Sequence, residues 1–411
     1  MPISKQSRQF RIKLSGSFMI KSNRIFLFLF LFCGFAEKTL PQNKQKDMSP
    51  RFEPELIDDQ VQIGYGLTIG DVDGDKKPDI LLADKKQFVW YRNPEWARFV
   101  MVDNLTEKDN VCIAARDIDG DGKVEVAVGG QWNPGETSDL KTSGSVHYLI
   151  RPKDPTQLWK PVELIHEPTV HRMYWVKVGK KYQLVVLPLH GRDNKNGEGK
   201  GVKILAYEIP IDPYKNWNTT VLDESMHMTH NFDIIDIKGK EALLIGGKEG
   251  AKTILYNKGN WVTSNDWLIK GTGFGELRRG TGKIAAIHPM HGNQLALHFS
   301  DGTKKILTEP LNQGHALAFE DVLGQGFGQV IVGWREKNDS DEMGIMIFVG
   351  DDPQWSTWQS YWIDKNGIAC EDLKIADLDG DGKKDIIASG RDSHNLKIYW
   401  NKTMANLYSE K

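Results

Sequence analysis

Three short acidic loops constrain this chain more than any other feature. Asp71-Val72-Asp73-Gly74-Asp75 runs on to Asp79-Ile80-Leu81-Leu82. Asp117-Ile118-Asp119-Gly120-Asp121 runs on to Glu125-Val126-Ala127-Val128, and Asp377-Leu378-Asp379-Gly380-Asp381 to Asp385-Ile386-Ile387-Ala388. Carboxylates at loop positions 1, 3, 5 and 9 converge when the chain turns sharply at glycine, and hard oxygen ligands at that spacing suit Ca²⁺. A helical calcium hand would need flanking helices and a Glu at position 12. Here the flanks are β-branched runs, so each loop is expected to join two strands of a hairpin.

Degenerate copies fill the gaps between these loops. Asp236-Ile237-Lys238-Gly239 leads to Ala242-Leu243-Leu244-Ile245, and Asp321-Val322-Leu323-Gly324 to Gln329-Val330-Ile331-Val332. Val176-Lys177-Val178-Gly179 leads to Leu184-Val185-Val186-Leu187, and Gly280-Thr281-Gly282 to Ile284-Ala285-Ala286-Ile287. These copies lack the carboxylates and are not expected to hold Ca²⁺. Seven units in roughly 350 residues match the blade length of propeller repeats. The loops resemble those of the FG-GAP/VCBS repeat family of β-propellers, whose blades carry D-x-D-G-D-G-x-x-D between their first two strands. That resemblance implies an all-β, seven-bladed β-propeller with structural Ca²⁺ in its hairpin loops. The 40 glycines and 13 tryptophans agree with many short strands and tight turns.

The expected domain plan is a signal peptide at 1–35, a linker at 36–58, the propeller at 59–404 and a tail at 405–411. Lys21 and Arg24 precede the apolar run Ile25 to Phe32, the pattern of a secretory signal, and the run is too short to span a bilayer. The expected location is secreted or periplasmic, with no transmembrane segment in the mature chain. Cys33-Gly34 resembles a lipoprotein junction, but Phe32 departs from the small residue such junctions carry. Lipidation at Cys33 is therefore the minor alternative. Cys112 and Cys370 lie in distant repeats and are expected to be unpaired. The charge balance of 53 basic to 55 acidic residues excludes a general nucleic-acid binder. Oligomeric state is not readable from the sequence.

The repeat also places side chains. Six residues before each loop's first position stand Tyr65, Val111, His171, His230, Glu276, His315 and Glu371. Each is expected where the innermost strand begins, at the mouth of the central channel. The ends of the second strands carry Lys85, Gln131, His190 with Arg192, Lys248, His291, Arg335 and Arg391. Antiparallel pairing puts these ends on the same face and the acidic loops on the opposite one.

Arg and Lys supply fixed donors for carboxylate, phosphate or enolate. His and Glu supply general acid/base groups, or ligands for a second divalent metal at the mouth. No nucleophile motif or phosphate-cradling loop is present. The expected chemistry is proton abstraction beside a carbonyl with loss of a leaving group, so the expected ligand is a keto-sugar or uronate-containing carbohydrate. The candidate catalytic residues are His171, His230, His315 and Glu371. Arg192, His190, Lys248, His291, Arg335, Arg391 and Gln131 are the candidate substrate-binding residues. Trp132, Trp175 and Trp334 could stack on sugar rings. The stretches Thr169-Val170-His171-Arg172-Met173, Leu189-His190-Gly191-Arg192 and His315-Ala316-Leu317 are similar to the propeller domain of aldos-2-ulose dehydratases. That similarity implies a secreted sugar lyase or dehydratase without the additional cupin domains. The competing class is a non-catalytic carbohydrate-binding or adhesion propeller using the same face.

Overall fold

Each repeat folds into an antiparallel sheet, because every acidic or degenerate loop closes a hairpin between two apolar runs. In a computed structural model describing residues 49–404, apart from 265, 267 and 272, seven such sheets follow one another in the chain. The first runs through Gly66–Gly70, Asp79–Ala83, Gln87–Arg92 and Ala97–Asp103. The innermost strands of the next six are Cys112–Arg116, Val170–Val178, Thr229–Ile237, Leu277–Gly280, Gly314–Glu320 and Cys370–Ala376. We number the blades 1 to 7 in that order. The seven-bladed arrangement is thus the one that the repeat count predicts.

The ring closes with a strand from the other end of the chain. Phe52–Asp58 pairs antiparallel with Asn395–Asn401 and becomes the outer strand of blade 7. The propeller therefore begins at residue 52, not at 59, and the proposed linker gives up its last seven residues. The signal segment, the rest of that linker, Cys33 and the 405–411 tail lie outside the described residues.

No single large core is needed. Seven hydrophobic clusters each straddle one blade interface. Leu81, Phe88 and Trp90 of blade 1 pack on Ile113, Val126 and Val128 of blade 2. At the closure, Leu67, Ile80 and Leu82 pack on Ile387, Leu396 and Ile398. Cys112 and Cys370 are free thiols buried in two of these interfaces. Among the described residues, no helix is long and apolar enough to cross a membrane.

A histidine cluster at the channel mouth

The seven residues placed by counting back from the loops stand where the innermost strands begin. Four blades present them through a β-bulge. In blade 3, Val170 pairs with Pro188 and Arg172 with Leu187, so His171 faces no partner. His315 and Glu371 are skipped in the same way in blades 6 and 7. In blade 4, His230 and Asn231 together oppose a single residue. A bulge rotates one side chain out of the ladder, and here the rotated side chains meet.

Three of these histidines share one anchoring scheme. The Nδ1–H of His171 donates to the His230 carbonyl at 2.7 Å. That of His230 donates to the Gly275 carbonyl at 3.0 Å, and that of His315 to the Glu371 carbonyl at 2.6 Å. Each acceptor belongs to the next blade. Fixing the proton on Nδ1 leaves the Nε2 lone pair free for a proton or a metal. His291 joins them from the loop after the second strand of blade 5, held at φ +51°. Its Nε2 lies 2.9 Å from that of His230. Ring nitrogens of His230, His291 and His315 all lie within 4.8 Å of one another, a spacing that suits a metal ion. His171 stacks between His230 and the indole of Trp132, with centroids 4.6 and 5.0 Å away.

Buried charge surrounds the cluster. Burial would raise the Glu276 carboxyl, but Arg278 at 3.0 Å and His230 at 3.2 Å outweigh it and hold it down to about 2. Asn231 donates to both oxygens of the same carboxylate. Glu371 is ion-paired with Arg335 at 2.9 Å and Arg391 at 3.4 Å. Burial, then neighbouring positive charge, keeps His171 and His315 well below the ordinary imidazole range. Burial also lowers His291, to about 3. Tyr65 lies under Arg391, 5.3 Å from guanidinium carbon to ring centroid, and burial pushes its phenol up to about 12.

The structure thus gathers His171, His230, His291, His315, Glu371, Arg335 and Arg391. Four expected substrate contacts serve other purposes. The Gln131 amide is taken by the Lys108 amide and the Lys141 carbonyl. Arg192 grips Glu167 on the rim at 3.0 Å. Lys248 donates to the Gly197 carbonyl. His190 stands on the rim of blade 3, its carbonyl accepting from the Thr169 hydroxyl. Trp175 and Trp334 are core, while Trp132 remains half-buried beside His171. The sequence reading passed over Arg172, Asn231 and Arg278. They lie one or two residues past the ring positions; bulges keep Arg172 and Asn231 near the channel, and Arg278 reaches Glu276 from a regular strand.

At the opposite face, positions 1, 3 and 9 of each acidic loop converge: Asp71, Asp73 and Asp79; Asp117, Asp119 and Glu125; Asp377, Asp379 and Asp385. Position 5 differs. Asp75, Asp121 and Asp381 each accept the amide two residues on, at 2.8 Å. Position 9 is buried and accepts the amide of position 2, as in Val72 to Asp79 and Leu378 to Asp385. In blade 6, which lacks the carboxylates at positions 3, 5 and 9, Gln329 accepts the Val322 amide in the same manner.

Residues 71–128 match the FG-GAP-like repeat family. The chain is thus a seven-bladed β-propeller in which residues 71–128 match an FG-GAP-like repeat. No curated protein matches it by sequence. A crystal structure of BBS1N in complex with ARL6DN is similar with a TM-score of 0.55 at 14% identity, covering 87% of this chain and 98% of that one. A chain of the mitotic checkpoint complex is similar with a TM-score of 0.53 at 10% identity, covering 93% and 99%. At these identities the likeness is one of fold.

Proposed function

We propose that this propeller is a carbohydrate lyase of the dehydratase type, secreted or periplasmic, acting at the channel mouth on a keto-sugar or uronate unit. The observation that carries the reading is the convergence of His230, His291 and His315, two of them with the proton fixed on Nδ1. Imidazole donors suit Zn²⁺ or a similar transition ion better than Ca²⁺ or Mg²⁺. Such an ion would polarise the substrate carbonyl and acidify the carbon beside it.

The remaining side chains divide the work. His171 stays neutral at pH 7, and its free Nε2 accepts the proton from that carbon. The carbon–oxygen bond one carbon further then breaks, the electron pair left by the proton forming the new double bond. Tyr65, protonated across the physiological range, donates to the departing oxygen. Arg335 and Arg391 hold a carboxylate or keto oxygen, and Glu371 acts as their buried counter-ion rather than as an acid or base. The three acidic loops hold structural Ca²⁺ in this reading.

The test loads the protein with Zn²⁺ and follows ultraviolet absorbance during incubation with keto-sugars and uronate-containing saccharides. A conjugated product formed by the wild type, and absent with His230→Ala and His315→Ala, is expected. Saccharide binding without product from any of them would replace the lyase with a carbohydrate-binding propeller.

A further inference from the structure

A cavity of about 440 Å³ opens beside the mouth between the blade 1 to blade 2 connection and the outer strands of blade 2. That volume lies within the ~300–1,000 Å³ range of small-molecule sites. Gln131 forms part of its wall, and the next residue is Trp132, which stacks on His171. One dipeptide therefore separates this cavity from the histidine cluster.

Part of its polar lining is hydrogen-bonded within the protein, as at Gln131, Thr106 and Ser145, but His147 is not fully so. His147 is 7% exposed, and its Nδ1 has no hydrogen-bond partner among the described residues. A buried polar atom left unpaired forgoes the hydrogen bond it had in water, so a position like this favours an arriving hydrogen-bonding group. Glu163 stands directly across the strand pair from His147, and His166 follows three residues later. Lys141 and Glu107 complete the rim, and Leu105 and Leu140 supply apolar wall. Burial, then His166, lowers His147 to about 4, so it presents a neutral ring at pH 7. Neutral imidazole, carboxylates and an ammonium around small apolar walls offer both acceptors and donors. Vicinal hydroxyls, each donating once and accepting twice, match that mixture. A phosphate would meet two carboxylates, and a bare cation would leave most of the volume unfilled.

We propose that this cavity is an outer subsite for a further sugar unit, so that the mouth takes an oligosaccharide rather than a free monosaccharide. The inference rests on the carbohydrate reading above. In it, the reacting unit lies on the histidine cluster, the chain crosses Trp132, and a neighbouring unit settles against His147.

The experiment measures calorimetric binding of trimers and monomers prepared from pectin, alginate, heparosan and ulvan. The proteins are the wild type, His147→Phe, Lys141→Ala and His230→Ala, each checked by its melting temperature. Lys141 is exposed, so Lys141→Ala keeps the test valid should His147→Phe misfold. The expected result is that a trimer binds wild type at least about tenfold more tightly than its monomer. His147→Phe and Lys141→Ala remove that advantage and leave monomer binding unchanged, whereas His230→Ala weakens both ligands. Trimers that bind no better than monomers, or keep their advantage in both cavity variants, overturn the subsite alone. Absence of binding by every saccharide overturns the carbohydrate reading and the subsite with it.

Discussion

The two faces of the ring use the same repeat in opposite ways. On the acidic face each loop closes its own turn. Position 9 pins position 2 within one stretch of nine residues, and the pattern recurs in blades 1, 2 and 7, with Gln329 standing in at blade 6. On the mouth face no blade is sufficient. His171, His230 and His315 come from three blades, His291 from a fourth, and each anchor reaches the following blade. Local satisfaction allows copies to be repeated or lost singly. A shared site ties four blades to one another, so no blade can lose its contribution without disturbing its neighbours. Four of the acidic or degenerate loops also stand side by side across the closure, in blades 6, 7, 1 and 2.

The largest expected effect breaks the shared side. His230→Ala or His315→Ala should lower Zn²⁺ affinity by at least about 100-fold. The melting temperature in calcium should stay within a few degrees of wild type. Unchanged zinc affinity, measured by competition with a chelating dye, would remove the histidine centre.

The second concerns protons on the histidine-rich side. His288 and His298 share a 2.8 Å contact between their Nε2 atoms beside Phe274, and burial lowers both to about 4, with Lys304 adding to the effect. A folded value below the ordinary 6.5 means that the unfolded chain binds protons more readily. Their contribution is therefore complete above about pH 6.5 and is lost as pH falls toward 4. Melting temperature should fall across that window, less steeply in His298→Phe. A flat profile in the wild type would refute this.

A third change separates latch from ligand on the acidic side. The buried Asn401 amide donates to the Val322 carbonyl of blade 6 and to Lys384, tying adjacent loops together. Asn93 does the same between blades 1 and 7, reaching the Leu378 carbonyl. Asn401→Ala should cost about 2 kcal/mol in urea unfolding, with or without calcium. Dependence of that cost on calcium would mean that the latch works through the metal.

The smallest effect is expected from Asp385→Asn. Gln329 shows that a neutral amide oxygen can accept the position 2 amide. The second oxygen of Asp385 also accepts the Asn401 amide, so the variant should lose about 1 kcal/mol in chelator. It should lose part of the rise in melting temperature that added Ca²⁺ gives the wild type. A full calcium response in the variant would exclude position 9 as a ligand.

The ring positions were legible because a loop of fixed length sets the strand register, and register determines which residue reaches the mouth. The second-strand ends were less so. Gln131, Arg192 and Lys248 share sequence positions with Arg335 and Arg391, yet each is captured by a loop: Gln131 by the insertion after it, Lys248 by that of blade 3, and Arg192 by Glu167 in the connection from blade 2. The loop at 132–144 docks on that at 193–201 through Thr137 and Asn194. Such contacts depend on insertions with no repeat to align. The strand at Phe52–Asp58 was hidden for another reason. As an outer edge strand it is largely exposed and contains Pro54, so it shows neither apolar alternation nor a full ladder.

That strand also sets an order of events. Phe52 pairs with Asn401, so the contact closing the ring joins residues 349 positions apart in sequence. During synthesis the first strand of the propeller must wait, unpaired, until the seventh blade has left the ribosome. Loop-closure entropy makes such long-range pairing slow. Meanwhile, the open flank of the growing ring is the surface on which a chaperone, or a second unfinished copy, would act.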